Sequence, residues 1–138
     1  IKRVNPPCRY DQQMFLDIVP YDFRVSSSTL NDVDVQSLVI YDQNNGPSSG
    51  NRMIIQLRES RGFDNIDEEV VIDLSDFSDN YGLYFYSELF NNTFFPDNGG
   101  EVYIEILDDQ TLRLTWCDLE LFAGTRRIIT SGSTLYYR

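Results

Sequence analysis

The chain has 138 residues and a mass of 16.1 kDa, with 22 acidic against 11 basic side chains, no histidine and two cysteines. A net charge of -11 argues against nucleic-acid backbones and anionic membranes as partners, because like charges repel at a distance. A chain of this size buries about two thirds of its extended surface, enough for one globular domain over residues 1–138, and its apolar runs are too short to span a bilayer.

The pattern along the chain is one of short extended runs separated by turn residues. Met14 to Val19 forms a first run, closed by Pro20. A turn of helix capped by Ser28 or Asn31 is conceivable over Asp32 to Ser37, but Val33, Val35 and Val39 are β-branched and favour a strand over Val33 to Tyr41. A polar loop, Asp42 to Asn51, follows. From Arg52 to Arg58 the residues alternate, with Met53, Ile55 and Leu57 on one side, Arg52, Gln56 and Arg58 on the other, and Ile54 as the exception. This period of two is the mark of a half-buried antiparallel strand. Residues 59–69 are a charged connection, Val70 to Ser75 a strand, Asp76 to Gly82 a turn, and Leu83 to Phe90 a strand.

Next comes the clearest hairpin: Val102, Ile104 and Ile106 go out, Asp108-Asp109-Gln110 turn, and Leu112, Leu114 and Trp116 return. The apolar phase then changes from even positions to odd ones at Cys117, Leu119 and Leu121. One regular strand cannot bury both sets, so a β-bulge or a sheet crossing is expected near Trp116-Cys117. A similar slip separates Val33/Val35 from Leu38/Ile40. The final runs, Arg126 to Thr130 and Leu135 to Arg138, are divided at Gly132. The fold expected is all-β: an antiparallel sandwich, or a small barrel, of about eight strands.

The cysteines and the compartment are read together. Cys8 follows Pro6-Pro7 and Cys117 lies in a strand, so one bridge would tie the start of the chain to a late strand; two buried thiols are the alternative. Closing so long a loop stabilises by about 4–5 kcal/mol on the entropic account. The chain opens at Ile1, as expected of a product whose leader has been removed. Ten arginines against one lysine, many Ser, Thr, Asn and Tyr residues, and a sequon at Asn91-Asn92-Thr93 lean the same way, toward an extracytoplasmic location.

Four kinds of site are open to this composition. Without histidine the commonest general base and zinc ligand is missing, and no phosphate loop or nucleophile elbow is present. What remains for catalysis is a pair of carboxylates, such as Glu101/Glu105, Asp118/Glu120 or Asp73/Asp76, working as a glycosidase-like hydrolase; the same spacing describes a solvated strand face. Calcium is a second option, in the loops carrying Asp64 and Asp67 or Asp76 and Asp79, although Asp and Asn also build ordinary turns. Third, residues 64–120 hold fifteen acids and one base, Arg113, a distribution that suits a cationic partner or simply solubility. Fourth, Tyr84 and Tyr86 share one side of their run, and Tyr103 extends it toward a tyrosine-lined face for a glycan or a protein partner; otherwise these rings are core.

The last forty residues carry a resemblance. A Gly99-Gly100 turn, the Asp-Asp-Gln-Thr hairpin, Leu114-Thr115-Trp116-Cys117-Asp118-Leu119-Glu120-Leu121 and Ile129-Thr130-Ser131-Gly132-Ser133-Thr134-Leu135 follow in order. This succession resembles the small exported or lipid-anchored β-domain proteins of Bacteroidetes. It implies residence in the periplasm or at the cell surface, makes the sequon irrelevant, and brings no catalytic or ligand-binding residue with it. The function expected is that of an exported, non-catalytic binding or structural module, with a carbohydrate-binding module and a carboxylate hydrolase as alternatives.

Overall fold

The computed structural model describes residues 3–30, 35–42, 44, 46, 50–58, 62–75 and 81–138. Among them the chain forms an antiparallel β-sandwich. The strands are β1 (Gln13–Leu16), β2 (Val19–Tyr21), β3 (Phe23–Leu30), β4 (Val35–Asp42), β5 (Arg52–Arg58), β6 (Val70–Asp73), β7 (Tyr81–Ser87), β8 (Asn92–Phe94), β9 (Glu101–Asp108), β10 (Thr111–Ala123) and β11 (Arg126–Tyr137). The first sheet has the order β2-β1-β11-β10-β9-β6 and the second β3-β4-β5-β7-β8. The two ladders meet at one corner, where Phe95 and Phe122 exchange backbone hydrogen bonds of 2.8 and 2.7 Å. Two sheets joined at a single bridge make a sandwich and not a closed barrel.

Strict alternation decides which side chains enter the core. On β5, Met53, Ile55 and Leu57 are buried, and the first two lie in register with the inward Ile40, Leu38, Phe85 and Leu83 of the neighbouring strands. The first sheet answers with Ile104, Leu112, Leu114, Trp116, Leu119 and Leu121. Trp116 is completely buried, its indole N–H donates to Thr130 Oγ1 at 3.1 Å, and its ring lies across Gly132. A Cβ on Gly132 would stand 2.8 Å from Trp116 Cζ2, so only glycine lets the ring pass at this distance. β11 therefore runs unbroken through Gly132, where the sequence suggests a division.

The bulge expected near Trp116-Cys117 is present. Trp116 pairs with Gly132 and Leu119 with Thr130, so β10 carries an extra residue. Asp118 takes up the turn at a φ of 47°, with its N–H donating to Ser131 Oγ at 2.7 Å. The bulge buries both Trp116 and Leu119 and leaves Cys117 facing outward.

Other expectations are corrected. β4 pairs with β3 and β5 without interruption from Val35 to Tyr41, so no slip occurs there; Val33 and residues 31–34 lie outside the described residues. Ser28 belongs to β3 and Val35 to Ser37 belong to β4, so these residues are extended and not helical, while the rest of the predicted turn, residues 31–34, lies outside the described residues. Pro20 lies inside β2, a strand at the sheet edge, where a missing N–H costs no ladder bond. β3 and β8 went unpredicted because Phe23–Leu30 is mostly serine and threonine in the middle and Asn92–Phe94 is only three residues long.

Candidate ligand-binding site

Each sheet has an outer face, and the two differ. Across the first sheet runs the segment from Arg3 to Tyr10. Cys8 is joined to Cys117 in a disulfide, with the Cα atoms 5.9 Å apart. On one side of this anchor the Tyr10 N–H donates to Ser133 Oγ at 3.1 Å, and Ser133 Oγ lies 2.9 Å from Thr115 Oγ1. On the other side the Val4 N–H and the Arg3 guanidinium both bond Glu69, at 2.9 and 2.7 Å. Glu105 is nearly buried between them, held by Arg9 at 3.3 Å and by both arms of Arg113 at 3.0 and 3.1 Å. Burial works to raise the pKa of Glu69, but the N–H of Ile106, Arg3 and the N–H of Val4 together outweigh it and hold the carboxyl below its usual range.

The outer face of the second sheet is built differently. On β7, Leu83 and Phe85 enter the core, which turns Tyr84 and Tyr86 outward as half-buried rings. The register sets them in two rows across the sheet. One row reads Arg24, Tyr41, Arg52, Tyr86 and Thr93; the other reads Ser26, Val39, Ile54 and Tyr84. Phe95 prolongs the second row, its ring 6.2 Å from that of Tyr84. With strands about 4.8 Å apart, the first row spans about 19 Å. The hydrogen bonds and ring contacts of these side chains keep to the face or its rim: Arg52 lies 4.8 Å over the Tyr86 ring, Tyr86 Oη donates to Asn91 Oδ1 at 2.8 Å, and Gln56 Nε2 donates to Ser37 Oγ at 3.3 Å.

These facts sort the sequence-predicted residues. Tyr84 and Tyr86 share a face, as expected. Tyr103 does not join them: it belongs to β9, on the outer side of the opposite sheet, where it borders a cavity of about 270 Å³ with Glu101, Asp118 and Glu120. There burial first, then the Glu101 charge, raises the phenol pKa. Tyr41, Arg24 and Arg52 were missed as members of the aromatic face. Ile54 was the available signal, since an apolar residue on the wet side of β5 implies neighbours that shelter it, and Ile54 is in fact buried.

Asp64 and Asp67 lie at one end of the sandwich, on the rim of a cavity of about 720 Å³ shared with Asp108, Asp109, Arg3 and Arg138. Asp64 Oδ1 accepts from Tyr136 Oη at 2.9 Å, Tyr136 Oη accepts from Gln36 Nε2 at 2.7 Å, and Gln36 Oε1 accepts from the Phe63 N–H at 2.6 Å. This chain of bonds ties the two sheets together, and so gives Asp64 a structural task. Among the described residues no three acidic or cysteine side chains converge as a metal would require, and the two arginines oppose a cation in that cavity. Asp76 and Asp79 lie outside the described residues.

One carboxylate of each predicted pair is likewise engaged. Glu105 is bound by two arginines, Glu120 is paired with Arg127 at 2.8 Å, and Asp73 accepts from both the N–H and the hydroxyl of Ser75, which holds its carboxyl below the usual range. A general acid needs a carboxyl kept protonated by a poor environment for charge, and the Ser75 bonds to Asp73 work the other way. Among the described residues no helix is long and apolar enough to cross a membrane. No family model, curated protein or solved structure matches this chain.

Proposed function

We propose that this chain is an exported, non-catalytic binding module whose ligand surface is the outer face of the second sheet, and that its ligand is a carbohydrate. The observation that carries the reading is the pair of rows on that face: in one, Tyr41 and Tyr86 alternate with Arg24, Arg52 and Thr93, and in the other Tyr84 and Phe95 continue an apolar line from Val39 and Ile54. A sugar ring has one face of C–H groups and an edge of hydroxyls. Half-buried rings supply a rigid apolar support for the first, and the polar side chains between them supply donors and acceptors for the second. Rings fixed by a β-sheet lose little conformational freedom when a ligand arrives. The disulfide supports an oxidising, extracytoplasmic location, where such bonds persist.

Affinity electrophoresis through gels containing soluble polysaccharides tests the proposal. The wild-type chain is expected to be retarded by at least one polysaccharide, and Tyr84→Ala to lose that retardation, about a tenfold or greater loss for an aromatic contact of 1.5 kcal/mol or more. A wild-type chain that runs freely through every polysaccharide would falsify the reading. The Trp116 ring is wholly buried, so the spectroscopic report of binding is expected from tyrosine and not from tryptophan.

A further inference from the structure

We infer that the outer face of the second sheet takes an acidic polysaccharide, whose carboxylate or sulfate groups are received by Arg24 and Arg52 while its sugar rings lie along Tyr41, Tyr84 and Tyr86. This rests on the carbohydrate reading above and specifies the charge of the ligand.

The chain carries twice as many acids as bases, yet the two rows on this face contain two arginines and no aspartate or glutamate. Asp42, the acid next to Tyr41 in sequence, is in register with the inward Phe23, and its charge is felt by Tyr21 of the other sheet. Screening sharpens the contrast. At physiological ionic strength the Debye length is about 8 Å, so a ligand on this face experiences the local guanidinium groups far more than the net charge of the whole chain.

The state of the arginines is the second observation. The four ion pairs among the described residues use Arg3, Arg9, Arg113 and Arg127, all on the side of the first sheet. Arg24 is exposed and in none of them, and among the described residues Arg52 stacks on Tyr86 and makes a long 3.4 Å bond to the Gly50 carbonyl. A guanidinium is a planar fork that matches a carboxylate or sulfate with two parallel hydrogen bonds. Stacking on Tyr86 holds the Arg52 fork beside the aromatic surface before any ligand arrives. Arg24 and Arg52 lie two strands apart in one row, about 10 Å, with Tyr41 between them. A repeating acidic sugar chain running along this row presents ring, charge and ring to tyrosine, arginine and tyrosine.

Isothermal titration of the full chain with a neutral galactan, polygalacturonate, chondroitin sulfate and polyglutamate tests this. The expected result is binding to one or both acidic polysaccharides about tenfold tighter than to galactan, the yield of one charge-assisted hydrogen bond. The uronate and sulfate arms tell which acidic group is preferred. Arg24→Gln and Arg52→Gln are each expected to reduce that preference several-fold, and the double variant to erase it, while Arg127→Gln, on the other sheet, leaves it unchanged. Unchanged thermal melting confirms that the variants are folded. Equal affinity for galactan and the acidic chains overturns the charge assignment and leaves the carbohydrate reading standing. Polyglutamate binding as tightly as polygalacturonate, with no effect of Tyr84→Ala, overturns both, as does the absence of binding to any polysaccharide.

Discussion

On the outer side of the first sheet the segment from Arg3 to Tyr10 is fastened by a disulfide and by hydrogen bonds to Glu69 and Ser133, and the arginines there neutralise Glu69, Glu105 and Glu120. On the outer side of the second sheet the rings of Tyr41, Tyr84 and Tyr86 are half-exposed, and Arg24 and Arg52 stay out of every ion pair among the described residues. Both faces carry arginine, and the difference is in what the arginine meets. Where acids are present, the guanidinium groups are spent on ion pairs within the chain, Arg3 and Arg9 holding the amino-terminal segment and Arg113 and Arg127 joining neighbouring strands. Where acids are absent, they are left directed at whatever approaches from solvent. The contrast teaches that a net charge of -11 describes the first face well and the second badly.

If the amino-terminal segment belongs to the stability of the first face alone, cutting its anchor should damage folding and spare ligand binding. Cys8→Ser/Cys117→Ser opens a closed loop with a sequence separation of 109 and is expected to cost about 2–5 kcal/mol in chemical denaturation. Retardation by polysaccharide at a temperature where the variant is folded should match the wild type; a parallel loss of both would mean the two faces are coupled.

A smaller effect is expected from the carboxylate beneath the segment. The pKa of Glu69 is lowered on folding, so its stabilisation is fully present above the ordinary value of 4.5 and is lost as pH falls through the lower folded value. Glu69→Gln should cost about 1–2 kcal/mol at neutral pH and flatten the acid limb of a plot of Tm against pH. An acid limb as steep as that of the wild type would show that other groups govern it.

The smallest expected effect lies where the two sheets are clamped. Tyr21 of β2 donates to the Asn51 carbonyl at 2.9 Å, and burial, then the charge of Asp42, pushes its phenol up to about 12. A raised pKa of this kind contributes stability that is fully present below the ordinary value near 10 and is lost as pH rises through about 12. Tyr21→Phe should remove that alkaline dependence, visible in denaturation midpoints across the range, with less than about 1 kcal/mol lost at neutral pH. Glycan binding is expected to survive the substitution.

Much of this molecule was legible in its residues. The alternation over Arg52 to Arg58 marks β5 to the residue, and the change of phase at Trp116-Cys117 locates the bulge, because burial on one side of a strand leaves a record every second position. The bridge between Cys8 and Cys117 was one of two open readings, and alternation explains why it forms: next to the inward Trp116, Cys117 faces outward toward the crossing segment, and the bulge after it returns Leu119 to the core. The tyrosine face was legible only in part. Tyr84 and Tyr86 share a strand and so a side, whereas the placement of Tyr103 depends on which sheet its strand joins.

The sequence by itself therefore determined that the chain is all-β, where most strands run, and which residues on each strand point the same way, since these follow from local periodicity. Only the tertiary structure decided which strands are neighbours, which of two outer faces is crossed by the amino-terminal segment, and that Arg24, Tyr41, Arg52 and Tyr86 form one row. Neighbours in that row are up to 34 positions apart in sequence, and cross-strand register is fixed by packing the whole core at once, which no single segment records.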